Sequence, residues 1–204
     1  IFDSCISLKS INIKNINTDN VVDMSYAFSD CLNLEKIDLS NFNTINVKNM
    51  NSMFSSCSKL TELDVSHFST VEVTDMSNMF KFCNNLEKLD VTSFNTENVE
   101  NMAHMFDGLK SVKELDVSKF NTAKVRDMSF MFNECLLITS LNIKNFDTSK
   151  VLSMRNLFSN CNALGSLQLN NFKTDLVISM TNMFKDCYSI KAIDVGSFDT
   201  STVP

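Results

Sequence analysis

The feature of this sequence that most constrains its fold is an internal 26-residue repeat that runs without insertion. The cysteines show it best, because every interval in their series equals the one from Cys57 to Cys83, or twice that interval where Leu109 replaces a cysteine. The series consists of Cys5, Cys31, Cys57, Cys83, Cys135, Cys161 and Cys187. A fixed period of this length is typical of arrays in which each repeat buries its apolar face against its neighbours.

Other residue types recur in the same phase and form columns. A phenylalanine precedes each cysteine by three residues, a threonine column runs from Thr18 to Thr200, and all 12 methionines fall in two columns led by Met24 and Met53. The repeat reads L-x-x-L-D-V-S-x-F-N-T-x-x-V-x-D-M-x-x-M-F-x-x-C-x-x, most clearly from residue 60 to 85. We expect the threonines to form a polar ladder that specifies a turn.

The spacing inside one repeat predicts two short elements. Residues 89–91 alternate apolar and polar side chains, which favours a strand with Leu89 and Val91 turned inward. Residues 76–83 place apolar side chains at i, i+3, i+4 and i+7, one face of a short helix. Asp75 precedes this segment and is a good N-cap, as are its counterparts in the other repeats.

The pattern L-x-x-L-D-L-S-x-F-[DN]-T-x-x-V-x-[DN]-M-x-x-M-F-x-x-C resembles the BspA-type leucine-rich repeat of surface proteins and lipoproteins in bacteria and some protozoa. Residues 38–44 and 50–57 are among its cleanest copies, and the match covers essentially the whole chain. With the repeat, the resemblance implies one right-handed leucine-rich α/β solenoid over residues 1–204. We expect about eight coils, one for each 26-residue repeat, with parallel strands on the concave side and short helices on the convex side.

The two ends of the sequence and its composition limit the classes of protein to which this segment can belong. Neither end offers a polar cap, so we expect a fragment whose signal, anchor or effector segments lie outside residues 1–204. No signal peptide is visible, and no apolar stretch reaches the roughly 18 residues of a membrane span. The net charge of -6, with scattered lysines and arginines, argues against nucleic acid as a partner.

The cysteines predict buried free thiols rather than disulfides, metal ligands or nucleophiles. No two cysteines lie closer than one full period of the repeat, so the clustered pairs of a zinc site are missing. His67 and His104 occupy different columns, and the three glycines are isolated, so neither a Cys/His pair nor a phosphate-binding loop is indicated. We expect no metal, no cofactor and no enzymatic activity.

Two surfaces are candidate binding sites. The first, which we call the acidic face, combines two outward columns of the predicted strands. One column is a run of aspartates that repel one another and could attract a cation or a basic partner, and the other alternates lysine with glutamate, which favours a solvated, salt-bridged surface. Its residues are Lys36, Asp38, Glu62, Asp64, Lys88, Asp90, Glu114 and Asp116.

The second candidate, which we call the aromatic patch, consists of Phe82, His104 and Phe130. These three residues take polar-side positions of the predicted helices in three successive repeats, where other repeats carry serine, asparagine or aspartate. An exposed apolar cluster can mark a contact surface, while single surface aromatics are ordinary. We therefore weigh a contact patch on the convex side against incidental packing.

The function expected from this pattern is recognition without catalysis. The resemblance implies an extracellular or cell-surface, adhesin-like repeat domain that binds a protein or glycoprotein of host or matrix origin. Two alternatives stay open: a structural stalk or scaffold that binds nothing itself, and an intracellular protein-interaction effector, which free cysteines would suit.

Overall fold

The structure is a computed structural model that describes residues 1–203. The repeats lie on one another as successive coils, where a coil is one 26-residue repeat. Isolated parallel β-bridges join residues one period apart: Asp23–Asn49, Asn49–Asp75, Asp75–Asn101, Asn101–Asp127, Asp127–Ser153, Ser153–Ser179 and Ser140–Ser166. Residues 1–203 contain no α-helix and no strand longer than one such bridge.

The expected right-handed leucine-rich α/β solenoid is therefore wrong. The repetition is real, because the same hydrogen bonds recur from coil to coil, but the coils are built from turns. The leucine-rich-repeat interpretation fails with it, since that architecture needs one strand per coil paired into a continuous parallel sheet. No such sheet exists in the part of the chain that the structure describes.

The methionine segment, residues 76–83 and its counterparts in the other coils, forms turns where a helix was predicted. Asn78 and Phe82 have φ angles of 58° and 57°, in the left-handed region that a right-handed helix excludes. The Met79 N–H donates to Met76 O at 3.3 Å, closing a four-residue turn with its third residue left-handed, as in a type II turn. Met76, Met79 and Cys83 are nevertheless fully buried, so the predicted inward face is correct.

Hydrogen bonds to the next coil explain why turns replace the helix. Alternate N–H groups of the methionine segment donate to carbonyls in the following coil: Met76 to Asn101, Asn78 to Ala103, Phe80 to Met105 and Phe82 to Asp107, at 3.1, 2.8, 3.0 and 2.7 Å. A helix would direct these donors to its own carbonyls, and isolated helices shorter than about 12 residues are marginal in water. The adjacent coil supplies the acceptors instead.

The residues that were predicted to be helix N-caps do accept hydrogen bonds from backbone amides, but in turns and not at the start of helices. Asp75 Oδ1 accepts a hydrogen bond from the Ser77 N–H at 2.8 Å, and Asn49 makes the same bond to Asn51 at 2.9 Å. These are Asx turns, in which a side chain imitates a backbone turn. The residues that were expected to start helices therefore start the methionine segments.

The aspartate segment, residues 89–91 and its counterparts, keeps the predicted alternation without forming a sheet. Leu89 and Val91 are buried and Asp90 is exposed. Asp90 Oδ1 accepts a hydrogen bond from the Thr92 N–H at 2.9 Å, which turns the chain directly after the segment. No backbone bond joins residues 88–91 to residues 114–117, because the coils bond to each other mainly through the methionine segments.

The threonine ladder is confirmed, and it joins coils. Thr70 Oγ1 donates to Asn95 O at 2.9 Å and accepts from the Asn95 N–H at 2.8 Å. Thr96 repeats both bonds with Asn121 at 2.9 and 2.7 Å. These threonines are almost completely buried, so their hydroxyl groups satisfy backbone groups that water cannot reach.

A continuous stack of phenylalanine rings forms the centre of the core. Ring centroids of successive coils, from Phe2 to Phe184, lie 5.6 to 6.0 Å apart. Leu109, which replaces a cysteine, and Leu157, which replaces a methionine, are fully buried in their columns. The core is therefore one apolar column that each coil extends by one layer.

Candidate functional site

The structure brings all eight residues of the acidic face to one exposed surface. They line two adjoining depressions that share Lys88 and Asp90. One depression, of about 520 Å³, contains Glu114 and Asp116, and the other, of about 440 Å³, contains Lys36 and the remaining predicted carboxylates. The surface that the two columns predicted therefore exists as a continuous groove across four coils.

Asx turns fix the aspartates of the acidic face. Asp64 Oδ1 accepts from the Ser66 N–H at 3.0 Å and from its hydroxyl at 2.7 Å. Asp90 makes the same pair of bonds with Thr92 at 2.9 and 2.7 Å. One carboxylate oxygen of each residue is thus engaged in the hydrogen bonds of its Asx turn, and the other remains available to a ligand.

Those bonds also keep the carboxylates ionised. The Thr92 hydroxyl, followed by the Thr92 N–H, lowers the pKa of Asp90 below its ordinary value, although the neighbouring Asp116 and Asp64 charges raise it. The Ser66 hydroxyl and N–H lower the pKa of Asp64 in the same way. Hydrogen bonding to the charged form therefore outweighs the repulsion along the column.

The acidic face is only weakly neutralised by ion pairs. Lys36 Nζ lies 3.5 Å from Glu62 Oε1, and both side chains are highly exposed, so the pair contributes little to stability. Residues that the two columns did not predict also line the groove, notably Glu87 and Lys113. Glu87 directly precedes Lys88 and Lys113 directly precedes Glu114, and this adjacency in the sequence could have identified them. In total, seven carboxylates and three lysines line the two depressions.

The aromatic patch is only partly assembled. The rings of His104 and Phe130 stack with centroids 4.4 Å apart and an angle of 8°, and the Arg155 guanidinium lies 5.7 Å from the Phe130 centroid. Phe82 is not in ring contact with either residue, and Lys81 Nζ lies 5.0 Å from its ring. The structure therefore places two of the three predicted residues together.

Phe82 lies instead on Gly108 of the next coil. A Cβ at Gly108 would fall 2.6 Å from Phe82 Cδ1, and Gly108 has a φ of 77°. Glycine is needed here for the space that the Phe82 ring takes, since non-glycine residues such as Phe82 and Glu134 adopt the same left-handed backbone at this repeat position. The position of Phe82 is thus explained by packing, and Phe82 is still 37% exposed.

A buried carboxylate beneath the aromatic patch was missed by sequence reasoning. Asp107 is 2% exposed, and its Oδ2 lies 2.7 Å from His104 Nδ1. Asn133 Nδ2 donates to Asp107 Oδ1 at 2.7 Å. Asp107 lies three residues after His104, and this spacing could have indicated their contact from the sequence, because residues three apart meet when the chain turns. This network holds His104 against Phe130.

The cysteines are free, as predicted, and five of the seven are buried. Each inner thiol donates to the carbonyl of a phenylalanine in the preceding coil, for example Cys83 Sγ to Phe54 O at 3.1 Å and Cys161 Sγ to Phe132 O at 3.0 Å. Burial raises the pKa of the Cys83 thiol to about 12. These neutral, inaccessible thiols are not suited to nucleophilic catalysis.

The described residues contain no cluster of three or more histidine, cysteine, aspartate or glutamate side chains that could hold a metal ion. Over the same range, no helix has the length and hydrophobicity needed to cross a membrane.

These features define a repeat protein of stacked, turn-built coils with a charged groove on one surface. The chain belongs to the family described as "Mycoplasma protein of unknown function, DUF285", whose profile matches residues 1–63, 57–140 and 136–204. Three tandem matches along one chain agree with the repeat, but they are not specific to the BspA-type leucine-rich repeat. No functionally curated protein matches the sequence.

Proposed function

We propose that this chain is a non-enzymatic recognition module that binds a protein or glycoprotein ligand through the acidic face. The observation that carries the proposal is the pair of adjoining depressions that meet at Lys88 and Asp90. A groove lined by charged side chains from four coils offers a ligand many simultaneous contacts. The resemblance of the repeat to BspA-type surface proteins supports an adhesin-like role at a cell surface or outside the cell.

The rigidity of the groove favours binding. Leu89 and Val91 anchor the segment between them in the core, and Thr92 holds the carboxylate of Asp90. Side chains that are already fixed lose little conformational entropy when a ligand arrives. The groove can therefore present its aspartate carboxylates at nearly constant positions.

The charge of the groove favours a ligand with basic groups. Carboxylates outnumber lysines, and hydrogen bonds lower the pKa values of Asp38, Asp64, Asp90 and Asp116, so that all four are ionised at neutral pH. Complementary charge accelerates association and selects partners more than it raises affinity. We therefore expect the association rate to fall as salt concentration rises.

The experiment replaces Asp64, Asp90 and Asp116 together by asparagine. Asparagine keeps the Oδ1 acceptor of the Asx turn, as Asn12 does toward the Lys14 N–H at 3.2 Å in the first coil, so the fold should survive. The probes are immobilised matrix glycoproteins and intact host cells, with binding measured by surface plasmon resonance and by cell adhesion. We expect affinity to fall at least about tenfold, chiefly through the association rate.

The matched control replaces Asp19, Asp147 and Asp175 by asparagine, which changes the net charge equally at exposed residues that line neither depression. The control should bind as the unmodified chain does. Equal binding by both triple variants would refute the assignment of the groove. If the unmodified chain binds none of the probes, the result favours a stalk or scaffold role.

A further inference from the structure

We propose that a third depression on this surface, which we call the polar depression, binds one neutral sugar ring of a glycoprotein ligand. The depression follows the acidic face along the stack and has a volume of about 260 Å³. Its polar lining consists of Ser140, Asn142, Lys144, Ser166 and Gln168. The inference rests on the proposed function, because it identifies the part of the ligand that the charged groove does not bind.

Both columns of the acidic face change their chemistry at the same coil boundary. One period after Asp116 the aspartate column continues with Asn142, and one period later with Gln168. In the same two coils the neighbouring column changes from lysine and glutamate to serine, at residues 140 and 166. The surface therefore changes from one that attracts cations to one that offers neutral hydrogen-bonding groups.

The two amides of the polar depression are free to bind a ligand. In the preceding coil, Asp116 Oδ1 is engaged in an Asx turn, where it accepts from the Ser118 N–H at 2.9 Å. Asn142 and Gln168 are exposed, and within residues 1–203 neither side chain has a hydrogen-bond partner. Each amide therefore keeps two N–H donors and one carbonyl acceptor for a ligand.

A neutral sugar suits this set of groups. Each hydroxyl of a sugar ring both donates and accepts hydrogen bonds, so it pairs best with side chains that also do both, as amides and serine hydroxyls do. A carboxylate only accepts, and an ammonium group only donates. The depression is smaller than the roughly 300 Å³ at which pockets for drug-sized ligands begin, so we expect it to hold one ring and not an oligosaccharide.

The backbone beneath the polar depression is fixed. Ser140 and Ser166 form the one parallel bridge that the described chain has on this surface. Leu141 and Ile143, on either side of Asn142, are buried in the core. Because the backbone is already ordered, a ligand that binds here has less conformational entropy to overcome.

Gly165 leaves the rim of the polar depression open. The residues at its repeat position in two earlier coils are Glu87 and Lys113, and both side chains line the acidic groove. At Gly165 an added Cβ would meet only Thr139 O within 4 Å, at 3.9 Å. A longer side chain at this position is therefore compatible with the fold and would occupy the rim of the depression.

The polar depression and the acidic face can contact one ligand together, because they adjoin along the stack. Two linked contacts strengthen each other when one molecule makes both. The two contacts should respond differently to salt, since salt screens interactions between exposed charges and has little effect on hydrogen bonds to a neutral sugar. Sugar binding at the polar depression should therefore change little as salt concentration rises.

The test titrates four methyl glycosides into the isotopically labelled 204-residue chain: those of glucose, galactose, mannose and N-acetylglucosamine. Nuclear magnetic resonance follows the side-chain amide signals of Asn142 and Gln168 at glycoside concentrations up to about 10 mM, because a few exposed hydrogen bonds give only weak binding. We expect at least one glycoside to shift both signals, at low and at high salt. If none of the four does so, the proposal is overturned.

Variants locate the site. Gly165→Gln fills the rim and should weaken glycoside binding at least about tenfold, whereas Gly165→Ala adds one methyl group and should bind normally. Asn142→Asp combined with Gln168→Glu removes the amide donors and should cause a similar loss. The matched control, Asn20→Asp with Asn85→Asp, makes the same change of charge at exposed residues that line neither region and should bind normally. Equal binding by all these variants would overturn the assignment.

The result can be separated from that for the acidic face. The triple asparagine variant of Asp64, Asp90 and Asp116 should still bind the glycoside, and enzymatic removal of neutral sugars from the glycoprotein probes should weaken their binding to the unmodified chain. If removal of the sugars has no effect while the triple variant loses binding, the sugar site is refuted and the proposed function stands. If the glycoside binds at Asn142 while the triple variant keeps its affinity for the glycoproteins, the acidic face is refuted and the polar depression stands.

Discussion

At the scale of single residues, the cysteine column shows how one side chain can have both a packing and a polar role. Cys83 is fully buried, and its thiol donates to Phe54 O at 3.1 Å. That carbonyl also accepts the Cys57 N–H at 3.1 Å. A cysteine therefore fills a small apolar space and adds a weak bond to the preceding coil. Leu109 fills the equivalent space without that bond.

Burial of the thiols leads to a prediction about their reactivity. In the native chain, a thiol reagent near neutral pH should modify Cys5 and Cys187, which are partly exposed, and leave Cys57, Cys83 and Cys161 unmodified. Unfolding in guanidinium should expose all seven. Mass spectrometry after alkylation measures the pattern. Rapid alkylation of Cys83 in the folded chain would contradict the buried column.

The pH dependence of stability follows from the same residue. The pKa of Cys83 rises from an ordinary 9.0 to about 12 because burial disfavours the thiolate. As pH rises, the Cys83 thiol loses its proton at a lower pH in the unfolded chain than in the folded one. The contribution of Cys83 to the free energy of unfolding is therefore complete below about pH 9 and declines as pH rises from there toward 12. Urea unfolding at a series of alkaline pH values should show this decline.

At the scale of elements, the turns depend on partners in the adjacent coil. The methionine segment satisfies alternate N–H groups within its own turns and the others across the coil boundary. The threonine ladder likewise bonds one coil to the next, through threonine side chains, at the turn that precedes each methionine segment. An isolated coil would lack half of these partners, so no element here is stable by itself.

The threonine ladder provides a test at this scale. Thr96→Val keeps the shape of the side chain but removes the donor to Asn121 O and the acceptor for the Asn121 N–H. Both backbone groups would then be buried without partners, and we expect a loss of about 2 to 4 kcal/mol in the free energy of unfolding. Thr96→Ser should lose less, because it keeps the hydroxyl. Thr61→Val, at an exposed position, should change stability by less than about 0.5 kcal/mol. Denaturant unfolding measures all three.

At the scale of the whole molecule, stability should vary along the stack. Inner coils are covered on both sides, so their core residues, such as Phe80 and Phe106, are fully buried. Phe2 and Phe184, in the outer layers of the phenylalanine column, are only partly buried. In arrays of this kind each repeat is stabilised by its two neighbours, and a repeat with one neighbour opens first.

Hydrogen exchange can detect this gradient. The Phe80 N–H donates to Met105 O at 3.0 Å, while the equivalent Phe184 N–H has no partner in the described chain. We expect exchange at Phe80 to be at least about 100-fold slower than at Phe184 in dilute solution. Uniform exchange along all coils would contradict the stack.

The sequence by itself determined the period, the inward columns and the state of the cysteines. These follow from residue spacing, because a residue type that recurs at one fixed interval with no insertion must occupy equivalent places in successive coils. The eight positions of the acidic face were predictable for the same reason, since the residues between two buried apolar positions must point outward.

Only the tertiary structure decided the local conformation. The i, i+3, i+4 and i+7 spacing of the methionine segment suits a helix and also suits successive turns, and the sequence does not distinguish them. Carbonyls in the neighbouring coil settle the choice, because they accept the N–H groups that a helix would use internally and thereby allow left-handed residues such as Asn78 and Phe82. The Asp107 network and the contact of Phe82 with Gly108 depend on the same pairing of coils, which no spacing within one repeat contains.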